Sequence, residues 1–286
     1  MRSTTKLSKN VLAALFLAMF SLTSFAQKVP KHSLPTTWQL LKYDGVSAFK
    51  GLTTTYAKPL QWDKNDYLTA GAILVGTGAM YLIDEESTQW FIDQEEDIPG
   101  LIKDFGWYYG SPQNNYALNG AVYLYGLFTK NDKIRKTGVL LISAASTAGL
   151  IQTFSKVIVG RARPGGGEGP ASFKPFSNEG GYHSFPSGHT ILSFTTAYAI
   201  GKQFKNPFIK AGIYTVGMIA PISRLWAGAH WLSDVGLSMA ISVVVVDAID
   251  NYLNQERDYG PSDPTKNKIS WNFNVGMGRV GITGTF

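Results

Sequence analysis

Residues 185–203 read FPSGHTILSFTTAYAIGKQ. Proline, serine and glycine end whatever precedes them, and an apolar, hydroxyl-bearing run without further proline follows, so the stretch predicts a helix over 189–203 entered through Ser187 and Gly188. Serine at a helix start, with glycine beside it, exposes backbone N–H groups at the positive end of the helix dipole, a ready site for phosphate-like anions. The same apolar texture, rich in Gly and Ala, recurs at 67–83, 116–128, 137–155, 208–222 and 231–253. Together these six stretches predict an all-α bundle.

The segments between and around these helices are read by their breakers. Residues 27–66 are mixed and polar, with Pro30, Pro35 and Pro59 among them, and predict an irregular lead-in holding at most one short helix. Asp84-Glu85-Glu86 and Asp93 to Asp97 lack the alternating ligands and central glycine of a calcium loop, so they predict a solvated acidic loop. Residues 161–182 are too rich in Gly and Pro for regular structure, and a loop of that length in a helical domain is usually functional. The final SWNFNVGMGRVGITGTF, residues 270–286, alternates apolar and small residues and predicts a short β-like tail of one or two strands. Its Gly276-x-Gly278-x-x-Gly281 spelling has no room for the helix that a dinucleotide fingerprint needs.

At the other end Arg2, Lys6 and Lys9 precede the apolar run VLAALFLAMFSL at 11–22, and Ser24-Phe25-Ala26 supplies small residues for cleavage. Residues 1–26 therefore predict a secretory signal, followed by the lead-in 27–66, a helical domain 67–255 and a tail 256–286. Half of the formal net charge of +6 belongs to that signal, so no nucleic-acid partner is expected. The absence of cysteine excludes a disulfide framework, a thiol nucleophile and a lipid-anchored N-terminal cysteine. With 44% hydrophobic and 16% charged residues, composition lies between soluble and membrane proteins, and only 137–155 approaches the ~20 apolar residues of a membrane span.

Three polar motifs stand at the predicted helix ends. Lys156-Val-Ile-Val-Gly-Arg-Ala-Arg163-Pro164 runs an apolar helix into a cationic end with no acid nearby in sequence, and buried cations need a partner, for which an anionic ligand serves. Phe185-Pro186-Ser187-Gly188-His189 is the anion-binding helix start. In Ser223-Arg224-x5-His230-x3-Asp234 the i, i+4 spacing puts His230 and Asp234 on one helix face, where a carboxylate can hold one imidazole N–H and leave the other nitrogen free to attack.

In this order the three motifs resemble the signature of the type 2 phosphatidic acid phosphatase (PAP2) superfamily, which includes bacterial lipid-phosphate phosphatases and class A acid phosphatases. The resemblance implies a six-helix PAP2-like bundle and a metal-independent phosphoric monoester hydrolase without a cofactor. It implies further that Lys156, Arg163 and Arg224, with Ser187 and the Gly188 backbone, bind phosphoryl oxygens. His230 would be the nucleophile, Asp234 its orienting partner and His189 the acid for the leaving group. His183 lies outside the signature, and Phe185 and Trp226 are read as packing residues at the site rim. The expected substrate is a phosphate monoester or pyrophosphate, of a lipid or of a small molecule, cleaved through a phosphohistidine by an exported, membrane-associated enzyme of the periplasm or cell envelope. A soluble periplasmic acid phosphatase and a vanadate-dependent haloperoxidase are the alternatives.

Overall fold

Asp63 shows how local chemistry starts these helices: its carboxylate accepts from the N–H groups of Asn65 and Asp66 at 2.7 and 3.0 Å, while Asp66 accepts from Asp63 N. Asn131 and Asn206 cap two later helices in the same way, and Pro207 follows the second cap. The structure, a computed structural model, describes residues 35–255, 259–261, 270–276 and 279–285, so the predicted signal 1–26 lies outside it. Among these residues the helices are α1 (Thr37–Ala57), α2 (Lys64–Tyr81), α3 (Asp84–Asp93), α4 (Gly100–Gly110), α5 (Pro112–Phe128), α6 (Asp132–Val159), α7 (Gly188–Lys202), α8 (Pro207–Trp226) and α9 (Leu232–Leu253).

The fold is all-α in its core, and each of the six predicted helices has its counterpart. Three more helices stand beside these six, one of them in the lead-in where only a short helix was expected. The lead-in contains the 21-residue α1, because Pro35 and Pro59 lie beyond its ends rather than inside it. The predicted acidic loop is instead α3, where Asp84, Glu85 and Glu86 form the first turn and suit the positive end of the dipole. The Gly-rich α4 follows it.

The described residues divide into two units, a larger one within 41–259 and a smaller one holding the remaining described residues. In the smaller unit β1 (Ser270–Gly276) pairs antiparallel with β2 (Arg279–Thr285), in register from Ser270 opposite Thr285 to Gly276 opposite Arg279. In the larger unit α6, α7 and α9 supply the core, with Leu140, Leu141, Ile191, Val246 and Ile249 almost fully buried. The other helices pack around these three. Two of the three, α6 and α9, are long and apolar enough to cross a membrane, and α2 with Asp84–Asp97 would make a third candidate if the pair, bent by 63°, counts as one span. Asp247 and Asp250 do not spoil α9, since Lys202 pairs with both at 2.5 and 3.0 Å.

Close approach of α5 and α6 rests on glycine. A Cβ on Gly138 would stand 2.4 Å from the Tyr123 Cα, and one on Gly126 would stand 2.3 Å from the Arg135 backbone nitrogen. Neither neighbour is a flexible side-chain tip. Gly138→Ala is expected to lower stability by ~1–3 kcal/mol through overpacking, read as a lower melting temperature of the detergent-purified protein.

Candidate active site

Four helix ends meet at one place. The last turn of α6 carries Lys156, and Gly160 then adopts a left-handed conformation (φ 58°) with its N–H bonded to the Lys156 carbonyl. That cap turns the chain sharply toward Arg161 and Arg163. Only glycine fits there, because a Cβ would lie 1.9 Å from the Lys174 carbonyl oxygen. Gly228 (φ 56°) makes a similar turn after α8, so Arg224 before it and His230 after it face the same space.

The cations converge. Lys156 Nζ and Arg163 Nη2 both donate to the His183 carbonyl, at 2.8 and 3.2 Å. Arg163 Nη1 donates to the Ala229 carbonyl at 2.9 Å and lies 3.4 Å from His230 Nε2. Arg224 hydrogen-bonds Ser223 Oγ and stacks on the Trp107 ring, 4.7 Å from its centroid. Among the described residues no carboxylate lies within ion-pair distance of these three cations. Burial and the neighbouring Arg163 hold the Arg224 guanidinium down to about 10.

Ser187 caps α7. Its Oγ accepts from Thr190 N at 3.4 Å and Thr190 Oγ1 at 2.9 Å, which leaves its own O–H to donate. Gly188 and His189 open the helix beyond that cap, where N–H groups lack intrahelical partners. His189 lies 5.1 Å from the Trp107 ring, and its Nε2 is buried without a hydrogen-bond partner among the described residues. Burial first, then the charges of Arg224, His230, Lys156 and Arg163, push the imidazole down to about 4.

His230 is oriented by two groups rather than one. Its Nδ1 faces the Ser184 carbonyl at 2.7 Å, and a carbonyl can only accept, so Nδ1 carries the proton and Nε2 offers its lone pair toward Arg163. Asp234, the expected partner, stands 3.7 Å away. Its carboxylate also accepts from Ser184 Oγ and from Trp231 N at 2.9 Å, so it steadies the peptide segment that holds the ring. Burial leads in pushing His230 down to about 4, against the opposing pull of Asp234.

Several contributors escaped the sequence reading. Arg161, in the first motif, is 1% exposed and bridges two carboxylates, Asp84 and Asp234, at 2.7 Å each. Its anion is therefore supplied by the protein, a correction to the expectation that this cationic end serves a ligand throughout. Asp84, expected in a solvated loop, is fully buried and also accepts from Ser233 N and Oγ at 2.8 and 2.5 Å. The His183 ring faces the Ser177 carbonyl at 2.8 Å, so its main-chain oxygen, not its imidazole, serves the cage. Trp107 reaches the site from α4. A lone acid at a helix start and a lone tryptophan carry no spacing by which a sequence could single them out.

A cage of cations and imidazoles at helix ends defines a class of anion-binding helical domain, and comparison with known proteins places it. Residues 137–257 match the family model described as PAP2 superfamily. A lipid A 1-phosphatase of Rhizobium etli is 36% identical over 36% of this chain and 44% of that protein. A lipid A 4'-phosphatase of Porphyromonas gingivalis is 24% identical over 50% of this chain and 63% of its own length. The chain thus spans about half the length of the curated relatives it matches. The crystal structure of Aquifex aeolicus LpxE aligns with 57% of this chain and 94% of its own at 20% identity, with a TM-score of 0.43.

Removing one partner of a buried ion pair leaves a charge uncompensated, at a cost of ~3–5 kcal/mol. Asp84→Ala, which strips Arg161 of one of its two carboxylates, is expected to destabilise the protein by that order, with Asp84→Asn milder. Thermal melts of the two variants beside the parent protein check it.

Proposed function

We propose that this protein is an exported, membrane-associated phosphatase that removes phosphate from a lipid through a phosphohistidine intermediate. The observation that carries the reading is the gathering of Lys156, Arg163 and Arg224, with no carboxylate in contact among the described residues, about His189 and His230, with Arg163 at 3.4 Å from His230 Nε2. Such cations have no carboxylate in contact, only Asp234 attracting Lys156 and Arg163 from farther off, and a phosphoryl group spreads its developing charge over three oxygens that they can share.

The reaction follows from the two imidazoles. Neutral His230 attacks phosphorus through Nε2, the bond from phosphorus to the leaving oxygen breaks, and His189 gives that oxygen its proton. Water then attacks phosphorus as His189 takes its proton, the bond from phosphorus to Nε2 breaks with its electron pair returning to the ring, and inorganic phosphate leaves with His230 restored. The depressed His230 fits a nucleophile that must be neutral. His189 needs a proton, and in a site crowded with cations it acquires one only when the phosphate brings negative charge, or a proton of its own, into the cage.

Two helices able to span a bilayer favour a lipid over a soluble ester, and the names of the lipid A phosphatase relatives point to a phosphorylated glycolipid. The N-terminal cationic and apolar pattern supports export, which would set the chemistry on the periplasmic side. Phosphate release from lipid A phosphates, phosphatidate and p-nitrophenyl phosphate tests the choice. A tenfold or greater preference for a lipid substrate is expected, and equal rates on all three would overturn it.

His230→Ala is expected to abolish turnover, and His189→Ala to lose ~10²–10⁴-fold through the missing acid. The sign of the pH dependence follows from the depressed groups. kcat/KM should rise through about pH 4 as His230 loses its proton, then fall above about pH 6 as the phosphomonoester sheds its second proton. A kcat/KM that stayed level on both sides of this maximum would refute the pairing of a neutral nucleophile with a protonated leaving-group acid.

A further inference from the structure

Trp107 belongs to none of the three motifs, yet its indole touches two of the residues they contain. Arg224 lies over the ring at 4.7 Å from its centroid, and the His189 ring lies 5.1 Å away. Glycines on either side in α4 let it come this close. A Cβ on Gly106 would meet Ser223 at 2.5 Å, and one on Gly110 would meet His189 at 2.8 Å. The helix backbone therefore rests directly on the residue before Arg224 and on His189 itself. Trp107 remains 53% exposed, so one side of the indole covers the cage while the rest meets the surroundings.

Resting on the phosphatase reading above, we infer that Trp107 is a positioning residue: it holds the Arg224 guanidinium in place for a phosphoryl oxygen and screens the His189 imidazole from water. Arg224 has Ser223 Oγ and the indole face as its recorded partners. Without the ring, a long side chain with rotamer freedom would have one hydroxyl to fix it. His189 sits on the leaving-group side, since in-line displacement puts the departing oxygen opposite His230. Cover there matters, because water reaching this imidazole would stabilise its cation before the substrate arrives and weaken the coupling between substrate charge and acid protonation.

The charged groups that face His189 are Arg224 from α8, His230 from the turn before α9, Lys156 from α6 and Arg163 from the following loop. From α4, the Tyr109 hydroxyl is committed to the Ser193 carbonyl at 3.1 Å. None of these groups is an acid, so in the Trp107→Ala variant the repulsion remains while the cover is lost. The imidazole should then titrate higher by about one pH unit.

Trp107→Ala and Trp107→Phe, made in the full chain, test this by two routes. Histidine NMR of the unliganded protein should show His189 titrating about one unit higher in Trp107→Ala and near the parent value in Trp107→Phe. On a phosphomonoester, Trp107→Ala should raise both KM and the inhibition constant of inorganic phosphate about tenfold, with Trp107→Phe within about threefold of the parent. An unmoved His189 titration together with unmoved phosphate inhibition in Trp107→Ala would overturn the inference, even if the melting temperature fell. If the parent protein itself released no phosphate from any ester, the phosphatase reading would fail instead, and the NMR titration would still decide whether the indole governs His189.

Discussion

Arg161 has almost no access to water, and its charge is balanced because Asp84 and Asp234 close on it from two sides. That triad separates the cations that hold the domain together from the cations that can act. Two residues further on, Arg163 donates to carbonyls that satisfy its N–H groups but bring no negative charge. Lys156 and Arg224 are in the same condition, bonded to a carbonyl and a hydroxyl respectively. A protein built merely to be stable would have placed carboxylates beside all four. Leaving three of them without a carboxylate in contact costs stability, which the more distant Asp234 offsets only for Lys156 and Arg163.

The triad also reaches His230. Asp234 binds Arg161 with one oxygen, and with the other it takes the Ser184 hydroxyl and the Trp231 N–H. Ser184 in turn presents its carbonyl to His230. The ring is thus fixed by the main chain, and the main chain by a carboxylate that a buried arginine anchors. Such an arrangement sets the tautomer without a direct carboxylate–imidazole hydrogen bond. His230 therefore keeps a basic lone pair at Nε2 while its Nδ1–H has a strong acceptor.

How much of this could be read from the sequence follows from distance along the chain. The motifs at 156–164, 185–189 and 223–234 each sit at a helix end, and helix ends can be read locally from prolines, glycines and capping residues. Their convergence was legible only through resemblance to a family. Asp84 meets Arg161 across 77 residues and Ser233 across 149, and no period or spacing connects them. Helix α1 is longer than its neighbouring prolines suggest, because Pro35 and Pro59 flank it rather than break it. Helix α3 was missed because first-turn acids look like a loop until a buried arginine is found opposite them. Trp107 had no local mark at all, since its meaning depends on two glycines letting α4 lie against α7 and α8.

The position of the cage within the bundle fits the proposed lipid substrate for a geometric reason. Lys156 stands in the last turn of α6, Ser187 to His189 begin α7, Arg224 is in the last turn of α8, and His230 to Asp234 lead into α9. Consecutive helices that run up and down bring alternate C- and N-terminal ends together at one end of the bundle, and all the chemistry lies there. If α6 and α9 cross a bilayer, a reactive group at their ends stands at the height of the head groups, where the phosphate of a lipid also lies while its chains stay in hydrocarbon. Lys156 and Arg224, at the negative ends of their helices, gain from the dipoles there. The open N–H groups at the start of α7 add donors that carry no full charge. The cage can therefore remain strongly attractive to a phosphate without gathering so many cations in one buried place that the domain could not fold around them.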